Sequence, residues 1–140
     1  MKSPKTYVRD SGILHTLLRL DDYEQLLGHP IVGMSWEGHV IETLIRCAPA
    51  RTRATYYRTI AGAEIDLLLE LDANESWAIE IERSLSPKVG KGFRIAQDDI
   101  APSRALLVYP GDECYPLRGD VEVMGLRRLA EQLFVFFSTK

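Results

Sequence analysis

Three acidic side chains could act together in this sequence, because Asp66, Glu80 and Glu82 lie in two neighbouring strand-like segments. Side chains of a strand alternate between the faces of a sheet, so Glu80 and Glu82 share one face. Pairing the segments with their apolar residues inward, Ile65 and Leu67 among them, puts Asp66 on the side of the two glutamates. Carboxylates gathered in a half-buried place repel one another and need a cation or a shared proton. Because hard divalent ions take oxygen ligands, we predict a Mg²⁺ or Mn²⁺ site at Asp66 and Glu80.

The ordinary explanation of such alternation is a sheet with one solvated face, and we keep it for Glu64 and Glu70. This explanation fits Asp66 and Glu80 less well. The leucines at 67–69 are apolar on both faces of their strand, which indicates that its acid-bearing side is partly covered.

A helix that begins at Ser35 and ends before Pro49 is the natural cover. Glu37 lies three residues before Val40 and four before Ile41, so it shares the apolar face of this helix. An unpaired charge on a buried face is costly. We therefore expect this helix to cover the acid-bearing side of the sheet and to add Glu37 to the site.

The strands that carry the acids are predicted from periodicity and turn residues. Strand-like segments at 54–60, 63–71 and 77–82 are joined by a turn at Gly62 and by a short polar loop at 72–76. Such short links favour antiparallel neighbours.

The second half of the chain predicts a parallel connection. Ser86 and Pro87 are typical of a helix start, and the run 105–109 is apolar throughout, as in a strand buried on both faces. A strand, a helix and a buried strand in succession predict a parallel crossover. A short strand at 121–124 and a helix at 126–134 follow.

Length and composition fit one domain, since the chain has 140 residues and is 46% hydrophobic. We predict that residues 31–140 form an α/β domain, a mixed sheet flanked by helices. Residues 1–30 are predicted to be a lead-in segment, the end of an upstream linker.

The formal net charge is −3, so nucleic acid would have to be held by a local basic patch. Lys88, Lys91 and Arg94 recur every three residues in the predicted helix, and we predict that this stripe binds phosphates. The alternative is a solvated helix face. Three more cations could join the stripe: Arg51, Arg53 and Arg58.

No membrane segment is predicted, because no apolar run reaches the roughly 18–20 residues that span a bilayer. The N-terminus shows no signal peptide, so we expect a cytoplasmic protein. The two cysteines, Cys47 and Cys114, have a spacing that fits no zinc pattern.

Several segments together resemble a known family. They are residues 7–12 (YVRDSG), 36–40 (WEGHV), 62–70 (GAEIDLLLE), 78–88 (AIEIERSLSPK), 91–93 (KGF) and 108–111 (VYPG). Their order and spacing resemble the domain of unknown function found at the C-terminus of many prokaryotic AAA-type ATPases. The resemblance covers roughly residues 5–135.

That family is similar in its core to the PD-(D/E)xK nucleases, so the resemblance implies a restriction-endonuclease-like fold. It also implies a helix-borne Glu37, a metal-binding Asp66 and Glu80 as the second acid. The motif lysine would stand two residues after Glu80, where this chain has Glu82. Glutamate supplies no positive charge there, although it can act as a general base or bind a second metal ion.

Two hypotheses follow. One is a nuclease-like domain that hydrolyses phosphodiester bonds at a divalent metal site. The other is a catalytically inactive interaction module that binds nucleic acid, an ATPase partner or itself, as a homodimer. The resemblance implies a neighbouring ATPase domain, and this chain has no Walker A loop, because Gly90 and Lys91 lack the earlier glycine and the following Ser or Thr.

Overall fold

The computed structural model describes residues 32–138, which form a six-stranded mixed sheet flanked by three helices. The helices are α1 (Val32–Cys47), α2 (Lys91–Ile100) and α3 (Leu126–Ser138). The strands are β1 (Arg53–Arg58), β2 (Glu64–Asp72), β3 (Glu75–Ile81), β4 (Arg104–Tyr109), β5 (Cys114–Leu117) and β6 (Val121–Gly125). The mixed α/β class is confirmed. The predicted lead-in segment, residues 1–30, lies outside the described residues.

The strand order is β1-β2-β3-β4-β6-β5. The first three strands form an antiparallel meander, because the turn at Gly62 (φ 101°) and the loop after Asp72 are both short. From β3 the chain crosses through α2 into β4, and β3, β4 and β6 run parallel. The predicted parallel connection is thus confirmed.

Each face of the sheet has its own hydrophobic cluster. Helices α1 and α3 cover one face, where Ile41 and Leu133 pack with Leu69 and Ile79. Helix α2 covers the other face through side chains that include Phe93 and Ala96. Strand β4 contributes to both clusters, which is why it is apolar at every position from Ala105 to Tyr109.

The expected cover of the acid-bearing side was wrong. Residues of β3 alternate between the clusters, with Ala78 facing α2 and Ile79 facing α1. By the same alternation Glu80 lies on the α2 side. Helix α1, which carries Glu37, therefore covers the opposite face.

Helix α2 begins later than the pattern predicts, at Lys91 rather than after Ser86. Its N-cap is Gly90 in an extended conformation (φ −72°, ψ 152°). The Gly90 amide is bonded to the Glu80 carboxylate, and Gly92 packs closely on the Gly62 carbonyl. These tertiary contacts set the helix start, and local propensity did not decide it.

Strand β5 is not among the strands predicted from the sequence. Among the strands that the structure describes, β5 pairs only with β6 and is an edge of the sheet, where Pro116 is tolerated because one side of an edge strand needs no ladder bonds. Over the described range, no helix is long and apolar enough to cross a membrane.

Candidate functional site

Asp66 lies in an irregularity of strand β2. Thr55 pairs with Leu68 whereas Tyr57 pairs with Ile65, so two steps along β1 match three steps along β2. The extra residue in β2 makes a β-bulge, which re-aims side chains locally. As a result Ile65 and Leu68 belong to the cluster under α2, although simple alternation would put them on opposite faces.

The Asp66 carboxylate bridges β2 and β3 beyond the bulge. The ladder between these strands starts at the pair Leu67–Ile79. Asp66 and the residues before it form no ladder pair with Glu80 or Ile81. There Asp66 Oδ2 accepts a hydrogen bond from the Ile81 N–H at 2.9 Å. The side chain thus replaces a ladder bond and satisfies a backbone donor that the bulge would otherwise leave without a strand partner.

Glu80 belongs to strand β3, and its side chain lies next to the N-terminus of α2. Its Oε2 accepts a hydrogen bond from the Gly90 N–H at 3.2 Å. The approach is close, because a Cβ on Gly90 would come within 2.9 Å of Glu80 Oε1. The partial positive charge of a helix N-terminus favours an acidic side chain at this place.

Burial raises the pKa of Glu80 to about 7, from an ordinary value of 4.5. The hydrogen bond from Gly90 lowers the pKa, and the negative charges of Asp66, Glu82 and Glu64 raise it further. Glu80 is therefore the centre of a group of four carboxylates, here called the acid site: Glu64, Asp66, Glu80 and Glu82.

Glu82 follows the end of β3 and stabilises the chain that leaves the strand. Its Oε1 accepts hydrogen bonds from the N–H groups of Arg83 and Ser84, at 3.0 and 3.2 Å. Its backbone carbonyl accepts a hydrogen bond from Trp36 Nε1 at 3.0 Å. Glu82 thus belongs to the acid site and also shapes the loop that leads to α2.

Helix α1 contacts the acid site through the Trp36 side chain and does not cover it. The bond from Trp36 Nε1 to the Glu82 carbonyl ties the N-terminal half of α1 to the end of β3, and the half-buried Glu37 is the next residue. Glu37 is not among the charges that shift Glu80. The buried carboxylate of α1 is Glu42, which is 3% exposed and pairs with Arg46 at 3.0 Å.

The predicted basic stripe does not form a continuous helix face, because Lys88 precedes α2. Lys88 and Lys91 are exposed. Arg94 instead donates through Nη1 to the Arg118 carbonyl, which fastens α2 to the turn between β5 and β6. Contact of these three residues with nucleic acid stays a prediction.

Sequence reasoning did not assign one member of the acid site, Glu64, or the residue that contacts Glu80, Gly90. Glu64 was assigned to the solvated surface, and it is exposed, but its charge acts on Glu80 and it pairs with Arg58 at 3.1 Å. Gly90 had no assigned role. The glycine spacing of Gly90 and Gly92 at a helix start was the available signal, since both positions admit no side chain without displacement.

The acid site offers only carboxylate oxygens as possible metal ligands. Within the part of the chain that the structure describes, no three Asp, Glu, His or Cys side chains converge closely enough to enclose a metal ion. The predicted Mg²⁺ or Mn²⁺ site at Asp66 and Glu80 stays a prediction; in proteins Mg²⁺ is commonly held by one or two carboxylates, with waters and substrate phosphates as the other ligands.

Comparison with known proteins gives a family and no activity. The chain is 40% identical over 120 residues to an uncharacterised protein of Mycobacterium tuberculosis and equally to one of Mycobacterium bovis. The match covers 86% of this chain and 27% of each relative, so the chain spans about a quarter of their length. No solved structure matches. Residues 32–129 match the family described as a domain of unknown function, DUF4143, and the chain belongs to that family.

Proposed function

We propose that this domain binds a divalent cation at Asp66 and Glu80 and hydrolyses phosphodiester bonds. The observation that carries the proposal is the surrounding of Glu80, a half-buried carboxylate with three more carboxylates acting on it. Such a group is destabilised by mutual repulsion, and a cation relieves it. The resemblance to the PD-(D/E)xK nucleases supports the same two residues.

The two carboxylates are held by backbone contacts that fit this role. Asp66 is fixed by the Ile81 N–H and Glu80 by the Gly90 N–H, so both are oriented before a cation arrives. When bound, the cation would activate a water molecule and stabilise the negative charge that develops on the phosphate. Glu82, two residues after Glu80, would be a general base or a further oxygen ligand.

A thermal melt tests the cation site. Millimolar Mn²⁺ should raise the melting temperature of the wild type, because a ligand that binds only the folded state stabilises it. Asp66→Asn and Glu80→Gln should remove the shift, since each keeps an acceptor oxygen for its backbone N–H and loses the charge. Glu70→Gln is the matched control: Glu70 lies on the same strand and pairs with Arg53 at 3.8 Å, outside the acid site.

Hydrolysis is tested separately, with labelled single-stranded and double-stranded DNA and RNA in Mn²⁺. Cleavage by the wild type that is lost in Asp66→Asn and kept in Glu70→Gln supports the proposed reaction. A wild type that shows neither a Mn²⁺ shift nor cleavage would sink the proposal.

The second candidate is a catalytically inactive interaction module that binds nucleic acid, an ATPase partner or a second copy of the chain. One observation favours it: Asp66 and Glu82 each stabilise the backbone at the end of β3, a structural role that needs no cation. In that case Mn²⁺ leaves the melting temperature unchanged, and Glu80→Gln leaves partner binding intact.

A further inference from the structure

Arg58 ends strand β1 and has a buried donor atom, Nε, from which no residue in 32–138 accepts a hydrogen bond. Its Nη2 forms an ion pair with Glu64 Oε1 at 3.1 Å, and its guanidinium lies 5.7 Å from the centroid of the Tyr56 ring. The side chain is 22% exposed. A buried N–H without an acceptor is unfavourable, so a rotation of the guanidinium that lets a ligand oxygen accept this donor would be favoured.

A groove opens beside this guanidinium. It has a volume of about 840 Å³ and is lined by residues 56–60 and 62–64, which are the end of β1 and the turn into β2. Tyr56, Tyr57 and Arg58 are among the residues that line it. The groove therefore combines a cation with aromatic surface in one concave place.

The groove adjoins the acid site through Glu64. This residue is part of the groove wall, pairs with Arg58, and also raises the pKa of Glu80. The turn at Gly62 packs on Gly92 in the first turn of α2, close to the glycine that binds Glu80. The groove therefore lies beside the first turn of α2, next to the glycine that contacts Glu80.

We propose that this groove binds a single-stranded nucleic acid segment, with Arg58 contacting a phosphate and Tyr56 packing against a neighbouring base. This rests on the proposed function and names its substrate class. Arginine matches phosphate oxygens with its planar fork of donors. Aromatic rings stack on bases that are unpaired, which duplexes do not offer.

Arg53 and Arg58 are at opposite ends of strand β1 and have different surroundings. Arg53 is 75% exposed, is outside the groove and lies 3.8 Å from Glu70. It carries the same charge on the same strand, so it is the matched control for a general electrostatic effect.

Binding is measured by fluorescence anisotropy with short labelled single-stranded DNA and RNA, at low salt and with EDTA. Arg58→Gln should weaken binding by roughly tenfold, the loss expected for one charge-assisted hydrogen bond. Arg58→Lys keeps the charge and should retain part of the affinity, whereas Arg53→Gln should bind like the wild type. Melting curves of each variant confirm that it is folded.

Glu64→Gln separates phosphate binding from a merely structural ion pair. If Arg58 binds phosphate, removing the competing carboxylate should leave affinity equal or higher. If the pair only holds β1 in place, Glu64→Gln should lose affinity as Arg58→Gln does, and the proposal is then wrong. Unchanged binding in Arg58→Gln, absent binding of both oligonucleotides, or equal competition by polyglutamate would each also overturn it.

The assay excludes metal ions, so its result does not depend on hydrolysis. Binding that requires Arg58, without any Mn²⁺ shift in the melt, would uphold the groove and reject the cation site. A Mn²⁺ shift without binding at Arg58 would do the reverse.

Discussion

The Glu80 carboxylate occupies the space that a side chain on Gly90 would need. Its Oε2 accepts the Gly90 N–H at 3.2 Å, and its Oε1 would lie 2.9 Å from a Cβ at that residue. A strand end and a helix start are thus joined through one carboxylate and one glycine. Because Glu80 is also the centre of the acid site, the geometry of this contact controls both the start of α2 and the direction of the carboxylate.

We expect Gly90→Ala to displace the Glu80 carboxylate at a cost of about 1 kcal/mol in the free energy of unfolding, since the atom in the way ends a flexible side chain. Gly92→Ala should cost more, about 2–3 kcal/mol, because its Cβ would meet the Gly62 backbone carbonyl at 2.4 Å and backbone cannot yield as easily. Urea denaturation measures both. Equal losses would show that the Glu80 carboxylate is as rigid as the turn.

Replacement of Asp66 should depend on whether an acceptor is kept. Asp66→Ala removes the acceptor of the Ile81 N–H and should cost about 1–3 kcal/mol in the free energy of unfolding. Asp66→Asn retains an amide oxygen at this place and should cost less. Chemical denaturation without metal ions compares the two, and a milder loss in the alanine variant would contradict the bridging role of the carboxylate.

Stability should decrease as pH rises towards 8, because the pKa of Glu80 is raised to about 7 in the folded protein. A raised pKa means that the folded state holds the proton more firmly than the unfolded state. The associated stability is complete below the unfolded pKa near 4.5 and is lost as pH passes through about 7. Since Glu80 is only half-buried, solvent screening reduces the effect to on the order of 1–2 kcal/mol.

Glu80→Gln is the control for this pH dependence. The glutamine does not titrate, so the variant should lose less stability than the wild type between pH 5 and 8, as measured by urea denaturation at each pH. Parallel stability curves for the two proteins would show that Glu80 is not the titrating group.

Trp36 should contribute more to the free energy of unfolding than its buried volume alone explains. Trp36→Phe removes the donor to the Glu82 carbonyl, and we expect a loss of about 2 kcal/mol from the missing bond and the lost volume. Trp77→Phe is the matched comparison, because Trp77 is 3% exposed and its Nε1 bonds to the nearby Glu75 side chain. Without the Trp77 indole, the Glu75 carboxylate can form a hydrogen bond with water instead. Trp77→Phe should therefore lose less stability than Trp36→Phe.

The sequence by itself determined the class of fold and most of its elements. The alternation around Glu80 in β3, the continuous apolar run of β4 and the turn at Gly62 are local patterns, and the structure has all three. It also predicted that Asp66, Glu80 and Glu82 lie on one side of two neighbouring strands, because side chains of a strand alternate between faces.

The tertiary structure alone decided how these acids are arranged. The bulge at Asp66 arises from the register between β1 and β2, and no residue type in β2 predicts it. The start of α2 depends on contacts of Gly90 and Gly92 with residues that are distant in the chain. Which helix covers which face of the sheet follows from packing of the whole domain. Local patterns specify elements, whereas bulges, helix starts and faces depend on long-range contacts whose free energies appear only when the elements meet.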